Sequence, residues 1–386
     1  MASVMNNKGR AAARSGLGAV MGSKCLKAVV VGGGSREVSV AYPRELEKLR
    51  SRCLTELAGP APLFKEFGTC IAVEFCAKTG DLPTKNWKGA ALVDFPEYEN
   101  LTGPKVIALQ RKKDGCFRCP ILCGGRMKRS KRFKYSDEAH KPEYETLASF
   151  GSMCLIGDLE AIIALNDVCN RLGLDTISAG CTIAFAMECY EEGLINQNDT
   201  GGIKLEWGNI TATLDLLYQM AYRKGFGKVL ADGVKVAAEQ IGSESAKFAI
   251  HIGGQEVPMH DPKYSTDLYL TYRFDATPAR HTQGSEERHP PGLIPSFDKV
   301  THKGRVEAHK IGSSFFHVVQ CAGECAFVYG ALPHVQMFID FLRFVTGIDF
   351  DLNGLLNLGE RVGTLRHCFN LREGLNPLLY NVPGRV

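Results

Sequence analysis

Three thiols fall within eight residues, Cys116, Cys119 and Cys123, in the stretch GCFRCPILCG. The C-x2-C-x3-C spacing lets one short loop present three thiolates to one face of an iron–sulfur cube, leaving the fourth corner to a distant cysteine. A four-thiolate zinc site has similar needs, but its motifs usually come as two paired knuckles, and the chain has no second C-x2-C. The proline directly after Cys119 is also a feature of iron–sulfur loops. Iron–sulfur is therefore favoured over zinc. Cys321 and Cys325, far downstream, can each close the site.

Other residues able to do chemistry lie further along. Glu143 and Glu145 sit in PEYET, where the plain reading of a glutamate is the first turn of a helix. Histidines occur in HDPK (260–263) and TPARHTQG (277–284). Between Lys105 and Lys134 there are eleven Lys or Arg residues against one Asp. Such a run is either a solvated loop face or a positive collar for an acidic partner.

The composition sets the frame for these residues. The 386 residues are 45% apolar and 23% charged, which suits a globular protein of two or more domains. No apolar run approaches the roughly 20 residues needed to span a bilayer, and the N-terminus lacks the apolar segment of a secretory signal. A net charge of +4 does not argue for nucleic acid. Fourteen cysteines do not form a small disulfide framework, and a reducing cytoplasm is expected, with Cys154, Cys169 and Cys189 as buried thiols.

Short β-like runs are expected at 28–33 (AVVVGG), 38–42 (VSVAY) and 105–110 (KVIALQ), with a charged amphipathic helix at 45–57. From Glu145 onward the pattern is helical. Asp158 is placed to cap DLEAIIALNDVCNRLGLD and Gly173 to end it; later helices stop at Gly193, Gly225 and Gly242. A long stretch, 251–312, reads as irregular and functional. More helices follow in HVQMFIDFLRFVTG and LLNLGERVGTLRHCFNLREG.

Taken together and in order, RAAARSGLGAVMGSK, GCFRCPILCGG, KPEYETLASFGS, NRLGLDTISAGCTIAFAMECYEEGLI, DTGG, LADGVKVAAEQIG and RHCFNLREG resemble the aldehyde ferredoxin oxidoreductase family across essentially the whole chain. The resemblance implies a mainly α fold. Helical domains 2 and 3 would occupy 111–300 and 301–386, after a small α+β remnant of the N-terminal domain over 1–110. It also implies a bis-pyranopterin centre of tungsten or molybdenum, with magnesium as an option between the pterin phosphates, and a [4Fe–4S] cluster.

The cluster would be held by Cys116, Cys119, Cys123 and Cys325, with Cys321 as a neighbour. The pterins would contact Arg10, Ala11, Ala13 and Arg14, the loop with Asn170, Leu174 and Asp175, and a second loop with Gln320 and Glu324. Glu145 and His281 carry over as the catalytic pair, ahead of Glu143, His260 and His289. The implied reaction oxidises an aldehyde to its acid, electrons leaving through the cluster to ferredoxin or another electron-transfer subunit, with a homodimer as one assembly that the resemblance allows.

Four departures qualify the match. Gln320 and Glu324 stand where the family has Asp and Leu, and Thr277 stands where aldehyde enzymes have Arg. Cys181 follows DTISAG and is a candidate tungsten ligand, as in a benzoyl-coenzyme A reductase-type subunit acting on an acyl thioester. Finally, the chain is expected to be shortened at both ends. The alternatives are therefore that reductase type, or an electron-relay fragment needing a separate N-terminal chain.

Overall fold

In the computed structural model, which describes residues 1–33, 38–57, 59, 61–285, 288–298 and 301–386, about half of the chain is helical. Strands among the described residues come as short antiparallel pairs. β1 (Val4–Asn6) and β2 (Arg10–Ala12) form an N-terminal hairpin with Met5 opposite Ala11. α1 (Pro43–Glu56) starts on a proline and buries Leu49 and Cys53, one turn apart on one face. After α2 (Ala72–Thr79), β3 (Gln110–Asp114) pairs with β4 (Gly124–Met127), and the cysteine loop is the tip of that hairpin.

The central layer is α3 (Tyr144–Phe150), α4 (Leu159–Leu172) and α5 (Thr176–Glu191), followed by α6 (Ile210–Tyr222) and α7 (Val234–Ile241). Asp158 accepts the N–H groups of Glu160 and Ala161, and Gly173 closes α4 at φ 71°. Asp175 caps α5 in the same way, through Ile177 and Ser178. Every residue of α5 from Ile177 to Cys189 is buried, which is why its sequence is apolar all round.

A small hairpin, β5 (His251–Ile252) with β6 (Gln255–Glu256), and α8 (Asp267–Phe274) lead to the C-terminal helices. These are α9 (Arg305–Cys321), α10 (Ala326–Gly330), α11 (Val335–Thr346) and α12 (Leu352–Arg372). One core spans Cys70 to Ala279, and a second joins α1 to α9, α11 and α12 through Leu49, Phe315, Phe338 and Leu355. A third, small cluster of Ala61, Ile121 and Ala331 packs Phe64 and Phe327 beside Cys119 and Cys123.

α9 and α12 approach so closely at Gly359 that a Cβ there would lie 1.7 Å from the Ser314 carbonyl oxygen. Gly359→Ala is expected to cost about 3 kcal/mol through overpacking. A lower thermal unfolding midpoint checks this, and an unchanged midpoint contradicts the close approach.

Some local expectations change. Residues 28–33 and 38–42 are not strands, and Val29, Val30 and Val31 stand exposed with no partner ladder. Residues 105–110 are mostly helix, because Pro104 starts a helical turn over Gly103–Ala108 and the strand begins only at Gln110. α6 ends at Tyr222 with Arg223 left-handed, before Gly225. The segment VLADGVKVAAEQIG is broken at Gly233, φ 91°, into two helices. The stretch 251–312 is not all irregular: α8 forms there by burying Leu268 and Tyr272, and α9 begins at Arg305. Among the described residues no helix is long and apolar enough to cross a membrane.

Candidate active site and metal centre

A cavity of about 980 Å³ opens between β2, α3, the loop joining α4 to α5, the 277–285 segment and α10. Arg10, Ala11, Ala13, Arg14, Asn170, Leu174 and Asp175 all line it, as do Glu145, His281, Cys123 and Cys325. Cys116, Cys119, Gln320 and Glu324 lie outside its wall.

The N-terminal segment reaches the cavity by docking on the Asn170–Asp175 loop. Ser3 N–H donates to the Gly173 carbonyl at 2.8 Å, and Asp175 N–H to the Met1 carbonyl at 2.9 Å. Arg14 Nε lies 3.4 Å from Asp175 Oδ2 with both side chains buried, and Nη1 donates to the Ala279 carbonyl at 2.7 Å. Arg10 donates to Glu143 Oε1 at 3.1 Å, and Thr69 donates to the other oxygen of the same carboxylate.

The cysteine loop is fixed by its hairpin. Asp114 faces Gly124 across the ladder, and its carboxylate accepts Gly115 N–H and the Arg126 Nε–H. Arg118 and Leu122 take left-handed backbone angles, φ 55° and 56°, within this turn. Cys325 sits at the N-cap of α10; burial raises its thiol, and the first-turn N–H groups of Val328 and Phe327 partly offset this. Burial pushes the Cys123 thiol up to about 11; Glu143 and the neighbouring Cys325 and Cys119 add to this, and Arg10 opposes it. Arg10 also feels Cys116, so all four cysteines belong to one neighbourhood.

Among the described residues, one set of three ligand atoms lies within 4.8 Å of one another: Cys76, Asp81 and His260. The four cysteines form no such set.

On the opposite wall, Glu145 is buried and its Oε2 accepts Met259 N–H at 2.9 Å. Its Oε1 is 3.4 Å from His281 Nε2 and has no hydrogen-bond donor; His281 Nδ1 is also buried without a hydrogen-bond partner, and Arg14 Nε has only its ion pair with Asp175. Burial raises the Glu145 carboxyl above its ordinary range, partly offset by His260 and the Met259 N–H. Burial also lowers His281 far below the usual imidazole value, helped by His260, Arg288, Arg14 and Arg280. Glu145 Oε1 and His281 Nδ1 are thus left without hydrogen-bond partners in two residues that line the cavity.

Cys181 lies behind this wall. It is buried in α5, its sulfur 3.8 Å from the Val257 carbonyl, and it does not line the cavity. Gln320 donates to the Thr282 carbonyl at 2.6 Å, tying the second loop to the His281 segment. Glu324 is exposed and accepts Cys325 N–H. Thr277 holds Arg366, which also pairs with Asp275 at 3.0 Å. In the basic segment, Arg126, Arg129 and Arg132 pair with Asp114, Asp137 and Asp158.

A family model described as aldehyde ferredoxin oxidoreductase, domains 2 and 3, matches residues 48–386, and its N-terminal domain matches residues 1–33. The chain belongs to the aldehyde ferredoxin oxidoreductase family. Among relatives, a tungsten-containing aldehyde ferredoxin oxidoreductase of Pyrococcus horikoshii is 33% identical over 98% of this chain and 62% of its own length. An aliphatic sulfonate oxidoreductase, WOR-like subunit, of Pyrococcus furiosus is 31% identical over 74% of this chain and 45% of its own. The chain thus spans about 62% of the length of the curated aldehyde ferredoxin oxidoreductases it matches. The solved BamBC complex of benzoyl-coenzyme A reductase with 1,5-dienoyl-CoA shares the fold over the whole chain, TM-score 0.79 at 22% identity.

Within this family fold, the cavity also contains residues that the motifs did not single out. Arg280 and Arg288 line it, and His260 stands beside Glu145 with Asp81 behind it. HDPK was a visible signal for His260. Asp81, more than sixty residues before Glu145, has no local signature.

Proposed function

We propose that this chain is the cofactor-holding part of a tungsten oxidoreductase that converts an aldehyde to its carboxylic acid. The observation that carries the reading is the largely enclosed Glu145–His281 pair, 3.4 Å apart, lining the same cavity as Arg14, Asp175, Cys123 and Cys325.

Arg10, Ala11, Ala13 and Arg14, with the Asn170–Asp175 loop, would hold the pterins; Gln320 and Glu324 approach from the second loop. Magnesium between pterin phosphates remains part of this proposal. Cys116, Cys119, Cys123 and Cys325 would hold a [4Fe–4S] cluster in apolar surroundings supplied by Ile121, Phe327 and Val328. When bound, tungsten would supply the two-electron oxidation and the cluster single-electron transfer.

The protein's own groups handle protons and orientation. His281, kept neutral by burial, has one nitrogen facing Glu145 and the other free to donate an N–H to a carbonyl oxygen. Glu145, with its raised carboxyl, is suited to take up a proton and release it between turnovers. Electrons would leave on the Cys116 side, which is exposed, to ferredoxin or another electron-transfer subunit. The free state of all fourteen cysteines supports a reducing cytoplasm as the setting.

The test is aldehyde-dependent reduction of a viologen dye by anaerobically purified protein, with the acid identified as product. Reduction with acid formation supports the reading. Reduction driven by an acyl thioester or a sulfonate, with aldehydes inert, replaces it with one of the related chemistries.

A further inference from the structure

His260 and Asp81 form a second buried arrangement beside Glu145. His260 Nδ1 is 2.7 Å from Asp81 Oδ2, and a carboxylate can only accept, so Nδ1 carries the proton. Ser265 donates to the other Asp81 oxygen at 3.1 Å, and the Cys76 thiol donates to Oδ2 at 3.2 Å. His260 Nε2 is then the bare nitrogen, 3.9 Å from Glu145 Oε1. The ring is held between Tyr144, at a centroid distance of 4.8 Å, and His281, at 5.7 Å. The Met259 N–H anchors Glu145 itself, so the two groups share one backbone support. Asp81 is 2% exposed, while the side chains of His260 and Glu145 are 13% and 14% exposed, so the buried carboxylate backs an imidazole that reaches the cavity.

We infer that Asp81 and His260 form a proton exit from Glu145, with Asp81 as the positioning residue. In this step the Glu145 O–H bond breaks and an N–H bond forms at His260 Nε2. Asp81 stabilises the imidazolium, whose proton then passes to water. No electrons move in the step. The same geometry governs other histidine–carboxylate pairs, in which the acid fixes tautomer and ring angle without being protonated. The 3.9 Å gap closes with a small rotation of either side chain. A bound metal ion is the competing use of Cys76, Asp81 and His260. Both carboxylate oxygens of Asp81, however, already accept hydrogen bonds from the protein's own groups.

This inference rests on Glu145 being the proton acceptor, and the experiment separates the two claims. Selective nitrogen-15 labelling of histidine is expected to show His260 protonated at Nδ1 and bare at Nε2, and Asp81→Ala to lose that preference. The opposite tautomer overturns the inference. In the tungsten-loaded protein, with rates normalised to tungsten, Asp81→Asn and His260→Asn are expected to lower kcat about tenfold to a hundredfold with KM held. If Asp81→Asn loses its cofactor, His260→Ala with added imidazole decides: restored turnover supports the exit, and none overturns it. Wild-type kcat in both variants, with Glu145→Gln inactive, sinks the exit alone. Full activity in Glu145→Gln sinks the parent reading. One metal ion per chain lost with His260→Asn assigns the cluster to metal binding instead.

Discussion

Replacing Glu145 by Gln is expected to lower turnover by about a thousandfold while leaving tungsten and iron content unchanged, because a positioned acid–base group contributes roughly 10²- to 10⁴-fold. Glutamine keeps the acceptor for the Met259 N–H, so the fold around α3 should survive. It cannot take up a proton. The same substitution should raise stability near neutral pH. Burial raises the folded-state carboxyl pKa, so the folded protein holds its proton more tightly than the unfolded chain. Folding is therefore favoured below the unfolded value and loses stability as pH rises toward the raised one. Glutamine removes that loss, so the variant's thermal midpoint should exceed the wild type's above the ordinary glutamate range and converge with it in acid. Lost activity with gained stability is the signature of a strained catalytic group. Turnover close to wild type would remove Glu145 from the chemistry.

The other large effect is at Cys325. Cys325→Ala is expected to abolish the visible absorption of the cluster and with it dye reduction, since three thiolates from one loop leave a corner of the cube open. Cys321→Ala serves as the comparison. Cys321 is exposed in the last turn of α9, and its loss should leave iron content and rate unchanged. If the two variants behave alike, the fourth ligand has been misassigned. If Cys321→Ala is the damaging one, the pairing expected from the family motif is wrong by one turn.

Much of this site is legible because its motifs are local. The cysteine loop declares itself by spacing, and Asp158 and Gly173 bracket α4 as capping chemistry requires. The β-like runs at 28–33 and 38–42 misled for a physical reason. Valines favour strands only when a neighbour supplies a ladder and cover, and Val29 to Val31 have neither. In KVIALQ, Pro104 in the first turn outweighed β-branched residues, so helix preceded strand.

The residues hardest to read are those assembled from afar. Asp81 reaches His260 across 179 positions, and the N-terminal hairpin meets the Gly173 loop through Ser3. Neither contact leaves a periodic or spaced trace. The irregular reading of 251–312 failed for a related reason: α8 is a short helix whose support comes from Leu268 and Tyr272 buried against distant parts of the core. Charge density alone was also incomplete, because Arg126, Arg129 and Arg132 spend much of it on Asp114, Asp137 and Asp158.

The most direct measurement is elemental and pterin analysis of the anaerobically purified protein, together with its electronic spectrum. The expected result is about four irons per tungsten with pterin present, and broad visible absorption from a cube-type cluster. Zinc with no visible absorption, or no metal at all, would contradict the assignment of Cys116, Cys119, Cys123 and Cys325 to a redox centre beside a tungsten site.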